Sequence, residues 1–68
     1  MALSIRNQIE ATVTGILRGP VLSEVDVETT VGLMAAVVTT RAVDDLELRV
    51  GEKVLLRIDA TAVAVEKP

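Results

Sequence analysis

The sequence predicts a mainly β domain with five short strands and one short helix between the third and fourth. Three observations support this prediction. Polar and apolar residues alternate over long stretches, the apolar residues apart from two methionines are Val, Leu, Ile and Ala, and one segment changes to a helical spacing. A two-residue period is typical of a strand with one face on a core, and β-branched residues favour strands.

The first predicted strand, residues 3–17, carries the longest alternation. Odd positions such as Ile9, Val13 and Leu17 are apolar, whereas the even positions from residue 6 to residue 14 are polar. We therefore expect the odd positions to face the core.

Four further segments complete the strand prediction. Residues 21–29 alternate valines with acidic residues, and residues 53–58 and 62–66 are short apolar runs bounded by turn residues. Residues 33–39 are continuously apolar, so we expect both faces of this strand to be covered, one of them by a partner subunit.

The helix is predicted from a change of period after residue 39. Val43 and Leu46 recur at helical spacing, and Thr39 or Thr40 can cap the first turn. Five strands with a helix after the third are compatible with a small curled barrel of the oligonucleotide/oligosaccharide-binding (OB) topology. We expect residues 1–68 to form one such domain.

Composition points to self-association. Half of the 68 residues are apolar, and a domain this small cannot bury so much apolar surface alone. No run approaches the roughly 18 residues of a membrane span, and no targeting segment or cysteine is present. We therefore expect a cytoplasmic homo-oligomer without a membrane partner.

The residue types argue against catalysis. The chain has no histidine and no cysteine, so the usual bases and nucleophile pairs are missing, and it has no glycine-rich phosphate loop. The acidic residues of strand 21–29 and Asp44-Asp45 are best explained as solvated surface charge rather than metal ligands. With no aromatic residue and a net charge of −3, nucleic-acid binding is also disfavoured. We predict neither an enzyme nor a metal site.

Two polar residues near the start carry a possible function. Ser4 and Arg6 are two apart, so they project from the same face of a strand. A hydroxyl and a guanidinium placed together can form half of an anion site, but an ordinary exposed strand explains the same spacing. Both interpretations stay open on spacing alone.

The order of several short motifs resembles the molbindin (Mop) family of small molybdate-binding domains. These motifs are Ser4-Ile5-Arg6-Asn7, Gly19-Pro20-Val21-Leu22-Ser23-Glu24-Val25, Ala36-Val37-Val38-Thr39, Leu48-Arg49-Val50-Gly51-Glu52-Lys53-Val54 and Ile58-Asp59-Ala60-Thr61. The resemblance implies an OB-like barrel assembled as a hexamer, a trimer of dimers. It also implies molybdate or tungstate as the bound ligand, held between subunits and stored or buffered in the cytoplasm, with no organic cofactor.

The resemblance also implies particular oxyanion contacts. Carried over by position, they are Ser4, Arg6 and Thr39, together with the loop Asp59-Ala60-Thr61 of a second subunit, where Ala60 offers its backbone N–H. Further sites would use the main chain around Val21.

One departure from the family pattern stands out: Asp59 occupies the position of the family's lysine. Two outcomes follow from an anion in place of a cation. Asp59 caps its own turn through the Thr61 N–H and leaves a weakened site, or it pairs with Arg6 across the interface and replaces the ligand.

The leading hypothesis is therefore a cytoplasmic homo-oligomer that binds molybdate or tungstate. The alternative is a structural or interaction oligomer of the same fold, whose anion site Asp59 disables. A regulatory or transporter-associated domain is a third possibility, less expected for a chain that runs from Met1 to Pro68.

Overall fold

The structure, a computed structural model, describes residues 7–68. Four antiparallel strands, β1 (Asn7–Arg18), β2 (Leu22–Thr29), β3 (Gly32–Thr39) and β4 (Lys53–Ile58), form one open sheet in the order β3-β2-β1-β4. Helix α1 (Thr40–Asp45) lies between β3 and β4, and a single 3₁₀ turn (Ala60–Ala62) follows β4. The prediction of a mainly β chain with one short helix between the third and fourth strands is confirmed.

One face of the sheet carries the core. Its fully buried apolar residues come from β1, β2 and α1, and they are Ala11, Val13, Val25, Val27 and Val43. Val13 pairs with Val27 across β1 and β2, so these two side chains share one face. Helix α1 packs against β2 and β3, where Val43 closes the core.

A β-bulge in β1 changes which residues face the core. Val13 pairs with Val27 but Gly15 pairs with Asp26, so Thr14 is an extra residue in β1. Beyond the bulge the even-numbered Ile16 packs on the core, whereas Leu17 is 70% exposed. The expectation that Leu17 faces the core with the other odd positions is therefore wrong, because the bulge shifts the alternation by one residue.

The predicted fifth strand, residues 62–66, does not form within the described part of the chain. The 3₁₀ turn at Ala60–Ala62 is followed by residues without regular secondary structure, and Val65 is 96% exposed. A strand needs a neighbour for its backbone hydrogen bonds, and none of the four described strands pairs with this tail. The four described strands consequently form an open sheet with edges at β3 and β4 rather than a five-stranded barrel.

The face opposite the core, which we call the outer face, is partly apolar. On β3 it presents Leu33, Ala35 and Val37, and Leu33 is 80% exposed and Val37 67% exposed. Met34 and Val38, on the core side of β3, are half-buried. A single chain thus covers one face of β3, and covering of the other by a partner stays a prediction. Within residues 7–68, no helix is long and apolar enough to cross a membrane.

Candidate functional site

The described residues of the predicted anion site lie at opposite ends of β1. Asn7 pairs with Ile58, so the loop Asp59–Thr61 follows directly from the strand beside the start of β1. Arg18 pairs with Ser23, and the next pair outward on β2 is Leu22 with Thr39. Thr39 and the adjoining Val21 therefore lie at the far end of β1. A strand rises about 3.3 Å per residue, so the path along β1 between these ends is roughly 35 Å.

Ser4 and Arg6, the first two predicted contacts, lie outside the described residues. Their sequence positions directly precede Asn7, which pairs with the strand that leads to Asp59.

The Asp59 side chain caps the 3₁₀ turn. Its Oδ1 accepts a hydrogen bond from the Thr61 N–H at 3.2 Å, and the Ala62 N–H donates to the Asp59 carbonyl oxygen at 2.9 Å. The capping contact, one of the two outcomes predicted for Asp59, is thus present. The second outcome, pairing with Arg6, involves a residue outside the described part and stays a prediction.

Thr39, at the other end of β1, is the N-cap of helix α1. It precedes α1 with extended backbone angles, and its Oγ1 accepts from the Ala42 N–H at 3.0 Å. A threonine hydroxyl has one proton and two lone pairs, so capping leaves the proton as the group that can donate to an oxyanion.

A closed ring of hydrogen bonds holds the start of α1 against the β1–β2 turn. Gly19 N–H donates to Ser23 Oγ (3.4 Å), Ser23 Oγ and Thr40 Oγ1 are 2.7 Å apart, and Thr40 Oγ1 donates to the Gly19 carbonyl (2.7 Å). Because Thr40 has only one hydroxyl proton, Ser23 must donate in the shared contact. The Thr40 N–H also donates to the Val21 carbonyl at 2.8 Å. This ring therefore positions Thr39 and Val21 relative to each other.

Sequence reasoning did not identify this ring, although one signal pointed to it. Ser23 occupies the same row of β2 as Val25 and Val27 and is only 3% exposed. A polar residue in an otherwise apolar buried row requires a hydrogen-bond partner, and Thr40 provides it.

An ion pair fastens the end of β1 to α1. Arg18 Nη1 lies 2.8 Å from Asp44 Oδ1, and Nη2 donates to Oδ2 at 3.2 Å. The hydrogen bond from Arg18 lowers the pKa of the Asp44 carboxyl, and both side chains are more than half exposed. Arg18 is thus paired with Asp44 at this end of β1.

The acidic row of β2 on the outer face is unsuited to an anion. A hydrogen bond that the protonated Glu24 carboxyl donates to Asp26, together with the negative charge of Asp26, raises the pKa of Glu24. The positions beside these acids on the outer face are uncharged, since Asp26 lies between Gly15 and Ala35. A dianion would be repelled here. Within residues 7–68, no three or more His, Cys, Asp or Glu side chains are grouped to hold a metal ion.

The chain is similar to one protein-family model and to several solved structures. The TOBE domain model matches residues 3–65. A molybdate-binding protein from Sporomusa ovata is 36% identical with a TM-score of 0.93, over 98% of this chain and 100% of that one. MopII from Clostridium pasteurianum is 25% identical with a TM-score of 0.87, over 97% of this chain and 100% of that one.

A third solved structure is a larger protein. The cytoplasmic molybdate-binding protein ModG, with molybdate bound, is 36% identical with a TM-score of 0.81, and the match covers 88% of this chain but 43% of that one. No curated protein matches the sequence significantly. The Sporomusa ovata protein and ModG bind molybdate, which agrees with the prediction of a binding protein rather than an enzyme.

Proposed function

Because this chain belongs to the TOBE domain family, and within it to the molbindin (Mop) proteins, we propose that residues 1–68 form one domain that binds molybdate. Two of the matched proteins, the Sporomusa ovata protein and ModG, are molybdate-binding proteins, and the matches cover 98% and 88% of this chain. Tungstate, a tetrahedral dianion of nearly the same size, is the other ligand that fits the same chemistry.

The observation that carries the proposal is the separation of Thr39 from the loop Asp59–Thr61 along β1. Donors to one oxyanion must each lie about 3 Å from one of its oxygens, so they lie within several ångströms of one another. Thr39 and Ala60 of the same chain lie beyond opposite ends of β1, a strand whose path is roughly 35 Å long. A pocket that uses both residues therefore combines Thr39 of one subunit with the loop of another.

The proposed pocket supplies donors. Ser4 and Thr39 bring hydroxyls, Ala60 brings a main-chain N–H, and Arg6 brings a guanidinium that makes charge-assisted hydrogen bonds. Molybdate at neutral pH carries two negative charges and no proton, so it requires donors and no acceptors. Further sites in the assembly would use the main chain around Val21, which the ring of Gly19, Ser23 and Thr40 holds in place.

Assembly follows from the same surfaces. The exposed Leu33 and Val37 lie at the open edge of the sheet, and the exposed tail carries Val65. Burial of apolar surface contributes about 25 cal/mol per Å², and this favours association of these regions between copies of the chain. We place the subunit contacts there and expect a hexamer built as a trimer of dimers, with a cytoplasmic role in storing or buffering the oxyanion.

A second candidate function is a structural or interaction oligomer of the same fold. The position of Asp59 favours it, because its carboxylate lies on the loop that the proposed pocket would use, where it would repel a dianion. In this case the assembly would form normally but would not bind the oxyanion.

Calorimetric titration of the purified oligomer with molybdate, tungstate and sulfate distinguishes the two functions. Binding of molybdate or tungstate is expected for the first, and no heat at millimolar ligand would leave only the second. Arg6→Ala should abolish binding at the shared pocket, while Arg49→Ala, which removes an exposed arginine between α1 and β4, should not. Binding retained in Arg6→Ala would move the site to the main chain near Val21.

Light scattering tests the assembly itself. The chain has a mass of 7.2 kDa, and we expect a particle of several times that mass. A stable monomer would contradict both candidate functions.

A further inference from the structure

The open sheet has two free edges, β3 and β4. Strand β3 carries no charged residue, no proline and no bulge, so it lacks the features by which exposed edges commonly prevent pairing. Within residues 7–68, β3 makes backbone hydrogen bonds only with β2, and β4 only with β1. Each edge therefore offers unpaired N–H and C=O groups to a further strand.

The outer face gives these two edges opposite charges. Thr12 pairs with Glu28 on one side and with Lys53 on the other, so the charged rows of β2 and β4 lie on the same face. Within residues 7–68, no side chain of these two rows forms a salt bridge with another described residue. The rows consist of Glu24, Asp26 and Glu28 beside the β3 edge, and of Lys53 and Arg57 on the β4 edge.

We infer that β3 of one copy pairs with β4 of a second copy, so that the sheet continues from subunit to subunit. This inference rests on the assembly included in the proposed function and names the surfaces that the subunits use. Strands β3 and β4 run in opposite directions, because β1 is antiparallel to β2 and β4, and β2 is antiparallel to β3. A second copy in the same orientation therefore adds its β4 antiparallel to β3, with the outer faces on one side.

Charge favours this pairing over the two symmetrical ones. Pairing of β4 with another β4 would place the two basic rows in adjacent strands, about 5 Å apart, where like charges repel. Pairing of β3 with another β3 would leave both basic rows without a partner. Pairing of β3 with β4 places a basic row about 10 Å from an acidic row, across one strand, and long basic side chains can reach over it.

The spacing of the charges selects one register. Glu24 and Glu28 are four residues apart on β2, as are Lys53 and Arg57 on β4. The partner's β4 would run parallel to β2, so the two rows can be level over their length of about 13 Å. The pairs across the new edge are then Val37 with the partner's Lys53, Ala35 with the partner's Leu55, and Leu33 with the partner's Arg57.

The same register covers the exposed apolar side chains of β3. Leu33 and Val37 are exposed in the single chain, and the aliphatic stems of the partner's two basic residues would lie over them. The large side chain of the partner's Leu55 would face the small Ala35. A contact between two different edges is heterologous, and its repetition around an axis closes a ring. A threefold ring of this kind fits a trimer of dimers.

The test reverses the charges of each row separately and then together. Lys53→Glu with Arg57→Glu makes the β4 row acidic, and Glu24→Lys with Glu28→Lys makes the β2 row basic. The fourfold variant restores opposite charges and keeps the net charge of −3, because the four changes cancel.

Two further variants complete the set. Arg41→Glu with Arg49→Glu changes the net charge as much as the reversal on β4, at exposed positions away from both edges, and is the matched control. Ala35→Lys leaves both charged rows unchanged and puts a long cation where the partner's Leu55 would lie. Circular dichroism verifies that each variant is folded.

Sedimentation analysis measures the assembly. We expect each twofold reversal to raise the dissociation constant at least about tenfold, and the fourfold variant and the control to stay within about threefold of wild type. Ala35→Lys should also weaken the assembly. For wild type, a rise from about 0.05 M to about 0.5 M salt should weaken it, because salt screens exposed charges.

Each outcome decides the question. Wild-type assembly in both twofold reversals, or a folded fourfold variant that does not recover, would overturn the inference while leaving molybdate binding intact. If the fourfold variant does not fold, an unchanged assembly of Ala35→Lys would overturn it. A monomeric wild type would overturn it together with both candidate functions. A wild-type oligomer that responds to charge reversal but gives no heat with molybdate would support the edge pairing and overturn the proposed binding.

Discussion

Replacing Thr40 by valine removes a hydroxyl that the fold uses twice. Thr40 donates to the Gly19 carbonyl and accepts from Ser23, both at 2.7 Å, and valine keeps nearly the same shape without the hydroxyl. The substitution also leaves the hydroxyl of Ser23, a residue that is only 3% exposed, without its acceptor. We therefore expect Thr40→Val to destabilise the start of α1 and the β1–β2 turn together.

The magnitude follows from the bonds lost. Two hydrogen bonds at about 1 kcal/mol each, together with an unsatisfied buried hydroxyl, give a loss of about 3 kcal/mol. Ser23→Ala keeps the bond from Thr40 to Gly19 and should cost only about 1.5 kcal/mol. The double variant contains no orphaned serine hydroxyl, so it should lose about 3 kcal/mol rather than the sum of about 4.5 kcal/mol.

Urea denaturation followed by far-ultraviolet circular dichroism measures these differences, since the chain has no aromatic residue to report by fluorescence. Stability of an oligomer depends on protein concentration, so all four proteins must be compared at the same concentration. A loss below about 0.5 kcal/mol for Thr40→Val, or strict additivity in the double variant, would refute the closed ring.

Three further predictions use other parts of the molecule. Gly19→Ala should cost more than about 2 kcal/mol of unfolding free energy, because the added Cβ would clash with the main-chain oxygen of Leu22, whereas Gly15→Ala, with its nearest contact at 3.5 Å, should be tolerated. Arg18 lowers the pKa of Asp44, so the ion pair stabilises the fold above the unfolded-state pKa, and this is lost as the pH falls through the folded-state pKa. Asp44→Asn should therefore flatten the acid side of a stability–pH curve, and an unchanged curve would contradict this. Val65→Asp should lower the assembled mass seen by light scattering, since it puts a charge on a valine that is 96% exposed in the single chain, and an unchanged mass would exclude the tail from the contacts.

The orientation of the Asp59 side chain did not follow from the resemblance to the family. Comparison of the motifs identified Asp59 at the position of the family's lysine, but it left two orientations of the side chain open. The structure contains the contact with the Thr61 N–H, which follows from local chain geometry over two residues.

The sequence alone determined the features that local patterns encode. Alternation predicted β2, a short apolar run between turn residues predicted β4, and the change of period after Thr39 predicted α1, which Thr39 does cap. These predictions succeeded because side-chain direction within one segment follows from the period of its own backbone. The order of motifs likewise pointed to the family without any knowledge of pairing.

The tertiary structure decided everything that depends on one segment meeting another. The bulge at Thr14 exchanged Leu17 for Ile16 in the core, and the tail predicted as a fifth strand pairs with no strand within residues 7–68. Pairing also placed Thr39 and the loop Asp59–Thr61 at opposite ends of β1, which is why we divide the proposed pocket between subunits. No local period encodes these outcomes, because strand register and free edges arise from long-range hydrogen bonds between segments.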